Sequence, residues 1–283
     1  MGGYPSDSVR KAAVAGSWYP GRASDLRAEV EAYLSLSDAP PRLGPLVGLI
    51  SPHAGLRYSG PVAAHGYALL RGCPELTVVL VGPSHRLAFD GVAVWARGSF
   101  ETPLGPIPID EPLATRILAA AGGLKDDPRP HRDEHSLEMQ LPFLQHLVGH
   151  LRIVPMLMGR QTREDVDHLA ETLGRVLPGR KDVLLVASSD LSHYQSAPVA
   201  HRLDAFVVGD VERFDAEGLM GRLESHSGHA CGGGPMVAVM KASRFLGATA
   251  AVALRYADSG DVGEKDKTRV VGYLSAALCG PAS

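Results

Sequence analysis

The sequence predicts an α/β protein: a single three-layer α/β/α domain over residues 1–283, built on a mostly parallel but mixed central sheet. Three observations predict it. The runs at 46–50, 76–81 and 183–187 are apolar at nearly every position, the pattern of strands covered on both faces. Segments of helical period separate them. No repeat of about 20 to 50 residues, low-complexity tract or charge block divides the chain, so one domain accounts for it.

In chain order, residues 1–23 are rich in turn formers. Gly16-Ser17-Trp18-Tyr19-Pro20 is an aromatic turn that either clamps the core or puts Trp18 and Tyr19 on the rim of a pocket. Ser24 is placed to cap a helix to Leu36 whose apolar face carries Leu26, Val30, Tyr33 and Leu34. Pro40, Pro41 and Pro45 connect it to the first strand. Pro61 suits the first turn of a helix that runs through Leu70 and ends at Gly72. Residues 92–96 read as a strand and 102–108 as a loop or sheet edge; the hairpin-like stretch 92–109 suggests that the sheet is mixed. Residues 111–121 are helical and close at Gly122-Gly123, and 135–147 read as the next helix. Pro155 puts the strand at 151–157 near an edge, because proline cannot donate to a ladder. A helix over 163–177, the strand at 183–187, a helical region from Pro198 towards Leu223, a helix to about 246 and strands at 250–256 and 270–277 complete the chain.

The candidate chemistry sits where strands end. LVGLISPH closes on His53, LTVVLVGPSH on His85 and VLLVASSDLSH on His193. Open α/β sheets place their ligands beyond the carboxyl ends of the strands, so these histidines outline an active or metal site. Neutral imidazoles on rigid strand ends, as at His53 and His85, suit a divalent metal. Cys231 precedes the triplet Gly232-Gly233-Gly234 that opens a helix. A helix N-terminus favours the thiolate, which binds metal or attacks an electrophile, and the glycines let a ligand or backbone approach. The competing reading, a small buried hydrophobe, is the one that suits Cys73 and Cys279. Asp190 and His193, on one turn after a strand, could serve as an acid/base pair or as a ligand with its supporting hydrogen bond. His135 and Glu138, three apart, share a helical face that could point into the same pocket.

Other patterns compete. His131, Glu134 and His135 match the H-x-x-E-H arrangement of inverted zinc peptidases, although Pro128 and Pro130 put His131 at or before the helix start. Ser188 and Ser189 lack the G-x-S-x-G surroundings of a hydrolase nucleophile. His226, His229 and Cys231 make a local H-x-x-H-x-C cluster without a fourth zinc ligand nearby. Composition narrows the classes further. A net charge of −3, a pI near 6.5 and no Lys/Arg block argue against a nucleic-acid surface. No run approaches the roughly 18 to 20 apolar residues of a membrane span. Three scattered cysteines and no signal-like N-terminus lead us to expect a cytoplasmic protein. The oligomeric state is left open.

The motifs GSWYP (16–20), SPHAGLRYSG (51–60), GPSH (82–85), DEHSLEMQLPF (133–143) and SSDLSHY (188–194), with the region around Cys231, resemble those of the Memo-like proteins. Prokaryotic members of that family are named AmmeMemoRadiSam system protein B, and the likeness runs from about residue 9 to 279. The resemblance implies the fold of class III extradiol dioxygenases, non-haem iron enzymes in which two histidines and a glutamate hold Fe(II) and another histidine handles protons. It implies His53 and His85 as metal ligands, Cys231 as the third, and His193 as the acid/base, with Asp190 beside it. A thiolate in that third place favours copper, zinc or a sulfur-tuned iron over a plain Fe(II) triad. The expected cofactor is Fe(II), with copper and zinc as alternatives. The expected function is metal-dependent redox chemistry on a small molecule or partner. Its rival is a non-catalytic protein- or metal-binding module keeping a vestigial dioxygenase pocket, and third comes a zinc hydrolase using His131, Glu134 and His135. The system name further implies a radical-SAM protein and an AMMECR-type protein as partners.

Overall fold

Val78, Val79, Leu80 and Val81 are buried without exception, so both faces of their strand must be covered, and the rest of the architecture supplies the cover. The computed structural model describes residue 4 and residues 8–37, 44–120, 122–263 and 265–281. Its strands are β1 (Val9–Arg10), β2 (Leu46–Ser51), β3 (Glu75–Pro83), β4 (Val92–Val94), β5 (Ser99–Thr102), β6 (Gly105–Pro108), β7 (Leu124–Asp126), β8 (His150–Met158), β9 (Val183–Ser188), β10 (His193–Gln195), β11 (Ala250–Asp258) and β12 (Val270–Cys279). Its α-helices are α1 (Ala23–Leu36), α2 (Leu56–Tyr67), α3 (Glu111–Ala120), α4 (Leu141–Leu147), α5 (Arg163–Val176), α6 (Ala197–Glu212), α7 (Ala216–Ser225), α8 (Gly233–Phe245) and α9 (Ser259–Val262).

The large sheet runs β10-β12-β2-β9-β3-β8-β4-β7, with β11 also paired to β12. Its centre, β2, β9, β3 and β8, is parallel; β12 on β2 and β4 on β8 are antiparallel. Two glycines show how closely helices cover the two faces. A Cβ on Gly48 of β2 would stand 2.8 Å from Ser243 of α8, and one on Gly66 of α2 would stand 2.6 Å from Ser275 of β12 and 3.5 Å from Leu49. Gly48 and Leu49 are neighbours on one strand and point to opposite faces, so α8 and α2 lie on opposite sides of the sheet. This is the expected α/β/α layering.

Several local expectations are corrected. Arg22, not Ser24, occupies the N-cap of α1, and Ser24 inside the helix turns its hydroxyl to Asp25. Helix α2 starts at Leu56, so Pro61 lies inside it rather than in its first turn, and 68–70 continue as a 3₁₀ turn. Strand β8 is interior, between β3 and β4. Pro155 is tolerated because its carbonyl accepts from Trp95, one residue past the end of β4, so its ring nitrogen also faces beyond that short ladder. The hairpin β5–β6 belongs to a separate small sheet with β1; the large sheet is mixed because of β4, β10, β11 and β12. The expected helix at 135–147 is a 3₁₀ turn over 138–140 followed by α4. Phe214, with φ of 53°, breaks the region after Pro198 into α6 and α7. Residues 40 and 41 of the proline connector, and residue 121, fall outside the described residues.

Candidate metal centre

The three central parallel strands β2, β9 and β3 are neighbours, and His53, His193 and His85 follow their carboxyl ends. All three line one cavity of about 890 Å³, together with Trp18, His135, Asp190 and Cys231. The ligating nitrogens of His53, His85 and His135 lie within 4.8 Å of one another. The rings of His85 and His135 stack at 4.7 Å between centroids, and His53 meets both edge-on.

Hydrogen bonds behind the cluster decide which nitrogens face it. Ser188 Oγ donates its single proton to the Ser136 carbonyl at 2.6 Å and accepts from Gln140 Nε2 at 2.8 Å. Its 2.8 Å bond to His53 Nδ1 must therefore be donated by the imidazole, which leaves the His53 Nε2 lone pair turned inward. Gln140 is fixed in turn by the Tyr67 hydroxyl and the Pro52 carbonyl. His85 Nδ1 donates to Glu134 Oε1 at 2.9 Å, so its Nε2 is also free to face the cavity. Glu134 further accepts the backbone amides of His85, His135 and Ser136. This carboxylate–imidazole arrangement is the one that orients metal-binding histidines. His135 Nδ1 is buried without a hydrogen-bond partner and lies 3.3 Å from Glu134 Oε1.

Electrostatics keep His53 and His135 neutral. Burial, reinforced by His135 and His85, holds His53 well below the usual imidazole range. Burial lowers His135 to about 4 against the opposing pull of Glu134. Burial pushes Glu134 up, but the His85 bond and the neighbouring imidazoles outweigh it and hold the carboxyl at about 2. Asp190 is raised to about 7 by burial, although its Oδ1 accepts from the amides of His53 and Ala54. His193, lowered by burial, lines the cavity but stands outside the cluster of three.

Cys231 reaches the cavity by a different route. Its Sγ lies 3.1 Å from His53 Nε2, and its amide donates to the Asp190 carbonyl. The glycine triplet is what lets it come so close, since a Cβ on Gly232 would stand 2.3 Å from the Ser188 carbonyl. The expected depression of its thiol pKa is corrected. Burial, with Asp190 adding to it, pushes the thiol up, and Cys231 precedes the first residue of α8 instead of sitting within its first turn. A bound cation would be needed to make the thiolate.

The remaining candidates separate. His131 is buried between Trp95 and Phe100, with Nε2 donating to the Ala93 carbonyl at 3.1 Å, so it stands apart from His135 and the peptidase-like pairing does not form. Glu134 serves His85 instead of a water. Of the aromatic pair, Trp18 packs on His135 at 4.3 Å, while Tyr19 turns inward and donates to Glu138. Glu138 does not line the cavity: it accepts from Arg10, Tyr19 and the amides of Ala13 and Val14, which bolts the N-terminal segment across the site. His226 and His229 face each other without Cys231. A second cluster, His201, Asp258 and Asp261, already holds a cation, because Lys267 Nζ bonds both carboxylates. Sequence reasoning placed His135 beside the centre and missed Ser188 and Glu134 as its hydrogen-bonding supports; contacts of such long range leave no trace in local spacing. No helix among the described residues is long and apolar enough to cross a membrane.

Comparison with known proteins identifies the family and the fold. A family model described as Memo-like protein matches residues 10–277. A MEMO1 family protein of Methanosarcina mazei is 39% identical over 271 residues, covering 94% of this chain and 98% of its own. One from Sulfolobus acidocaldarius is 37% identical over 282 residues, with the same coverage. One from Thermotoga neapolitana is 36% identical over 281 residues, covering 95% and 99%. Among solved structures, an uncharacterized protein from Escherichia coli K12 shares the fold with a TM-score of 0.56 at 15% identity, over 82% of this chain and 99% of its own.

Proposed function

The chain belongs to the Memo-like family, and from that premise we propose that it holds a redox-capable metal ion at the ends of β2 and β3 and uses it on a small molecule. The observation that carries the reading is the convergence of the His53, His85 and His135 nitrogens, two of them with their outer nitrogen tied down as a donor. His53 and His85 would hold the ion, with the Cys231 sulfur and His135 completing the set. Three neutral imidazoles and one sulfur suit Fe(II), copper or zinc better than magnesium or calcium, which prefer oxygen. When bound, such an ion supplies Lewis acidity and, if it is iron or copper, electron transfer.

The protein's own groups then divide the work. Ser188 and Glu134 fix the tautomers of His53 and His85, so that no ring rotation is needed for capture. Asp190, poised near neutrality, and the half-buried His193 can each hold or release a proton at the cavity wall. Trp18 screens His135 from water. Metal analysis of protein purified without oxygen tests the reading. We expect stoichiometric metal in the native protein and loss in His53→Ala and His85→Ala. Equal metal content in all three rejects it.

A further inference from the structure

Cys231 sits on a loop, and its sulfur is aimed only as well as the peptide planes on either side of its Cα are held. The plane before it is held by the Asp190 carbonyl, which accepts from the Cys231 amide at 3.2 Å. The plane after it is held at both ends, which point in opposite directions across a trans peptide. Gly232 N donates to Ser189 Oγ at 2.9 Å, and the Cys231 carbonyl accepts from Gln161 Nε2 at 2.7 Å. With one pin the plane could pivot about it; the second fixes its tilt. Gln161 Oε1 also accepts from the Gly234 amide at 2.7 Å. Gly232, at the N-cap of α8, has no side chain to serve the first amides of that helix, so Gln161 supplies the acceptor from outside. Gln161 itself rests on fixed backbone, between Arg160, whose amide donates to the Phe89 carbonyl, and Thr162, which caps α5. Behind it lies a second cavity of about 330 Å³, lined also by Met220, Leu223 and Ala230, into which the loop could relax if the clamp were lost.

Resting on the reading that the Cys231 sulfur is a metal ligand, we propose that Gln161 is the positioning residue for it. The two ends of its amide bridge Cys231 and Gly234 and so aim the sulfur at His53 Nε2, 3.1 Å away. Gln161 does not line the large cavity, so its influence on the ion passes through the loop. A helix cap needs only the acceptor, whereas positioning needs the donor as well. The two roles part at Gln161→Glu: a carboxylate keeps an acceptor for Gly234 and suits a helix N-terminus, but has no proton for the Cys231 carbonyl.

Cobalt(II) loaded into the full chain reads the sulfur through its thiolate-to-cobalt charge-transfer band, and chelator competition reads zinc affinity. Native protein is expected to show the band and Cys231→Ser to lack it. Gln161→Glu and Gln161→Met should weaken the band and lower zinc affinity by roughly 10 to 100-fold, while the metal-free thermal melt of Gln161→Glu stays at the native value. In a Cys231→Ser background, Gln161→Glu should lower zinc affinity no further, because the residue acts through the sulfur. An undiminished band in Gln161→Glu, or a loss of affinity that adds to that of Cys231→Ser, overturns the proposal and leaves Gln161 as a cap of α8. Native protein without the band removes the sulfur from the metal reading itself, and the proposal with it.

Discussion

Two side chains that touch no substrate set the chemistry of this site. Ser188 has one proton and spends it on the Ser136 carbonyl, so the His53 ring must donate to it and present Nε2 inward. Glu134 does the same for His85. Supports of this kind are worth roughly 10 to 100-fold in metal affinity. Glu134→Gln, which keeps the shape and loses the charge, should therefore weaken zinc binding by about that factor in a chelator competition, and an unchanged affinity would show that His85 needs no orienting partner. Arg10 acts on a different quantity. It is 2% exposed and its guanidinium meets Glu138 and the carbonyls of His131 and Glu134. Removing one partner of a buried ion pair strands the other, at roughly 3 to 5 kcal/mol. Urea unfolding of Arg10→Ala should show a loss of that order; a loss below about 1 kcal/mol would mean that water reaches Glu138.

Strand ends are the elements that matter most, and they were legible. The apolar runs before His53, His85 and His193 are adjacent strands of one parallel sheet, so residues far apart in the chain arrive at one edge by topology alone. The glycine triplet after Cys231 was legible for the same physical reason, since only a missing Cβ lets that loop touch the end of β9. Gly232→Ala would push a methyl against the Ser188 carbonyl, at roughly 1 to 3 kcal/mol by analogy with overpacking. Its thermal melt should fall, and metal affinity should fall with it as Cys231 is displaced. A lowered melting temperature with native affinity would separate Cys231 from the ion. What was not legible depends on partners distant in sequence. Ser24 has the chemistry of a cap, but the helix begins one residue before it. Pro155 signals an edge, but the neighbouring strand stops short of it. Residues 131–135 spell a peptidase motif, but the 3₁₀ turn over 129–131 sends His131 into the core.

Over the whole molecule, buried neutral histidines make stability depend on pH. Burial lowers His131 from 6.5 to about 3, so the folded chain resists a proton that the unfolded chain accepts. Its contribution is complete above about pH 6.5 and is lost as pH falls from there towards 3, at roughly 1.4 kcal/mol per unit. His53 and His135 add in the same direction. Urea unfolding at pH 6.5, 5.5 and 4.5 should show this decline, and His131→Gln should flatten part of it; parallel slopes in variant and native protein would contradict the assignment.

X-ray absorption at the edge of the bound metal tests the central claim most directly, because it reads the ligands themselves. The account predicts a shell of imidazole nitrogens at about 2.0 to 2.1 Å with a sulfur near 2.3 Å if the ion is zinc, and loss of the sulfur alone in Cys231→Ser. A shell made only of oxygen, or one identical in native protein and His53→Ala, would contradict it.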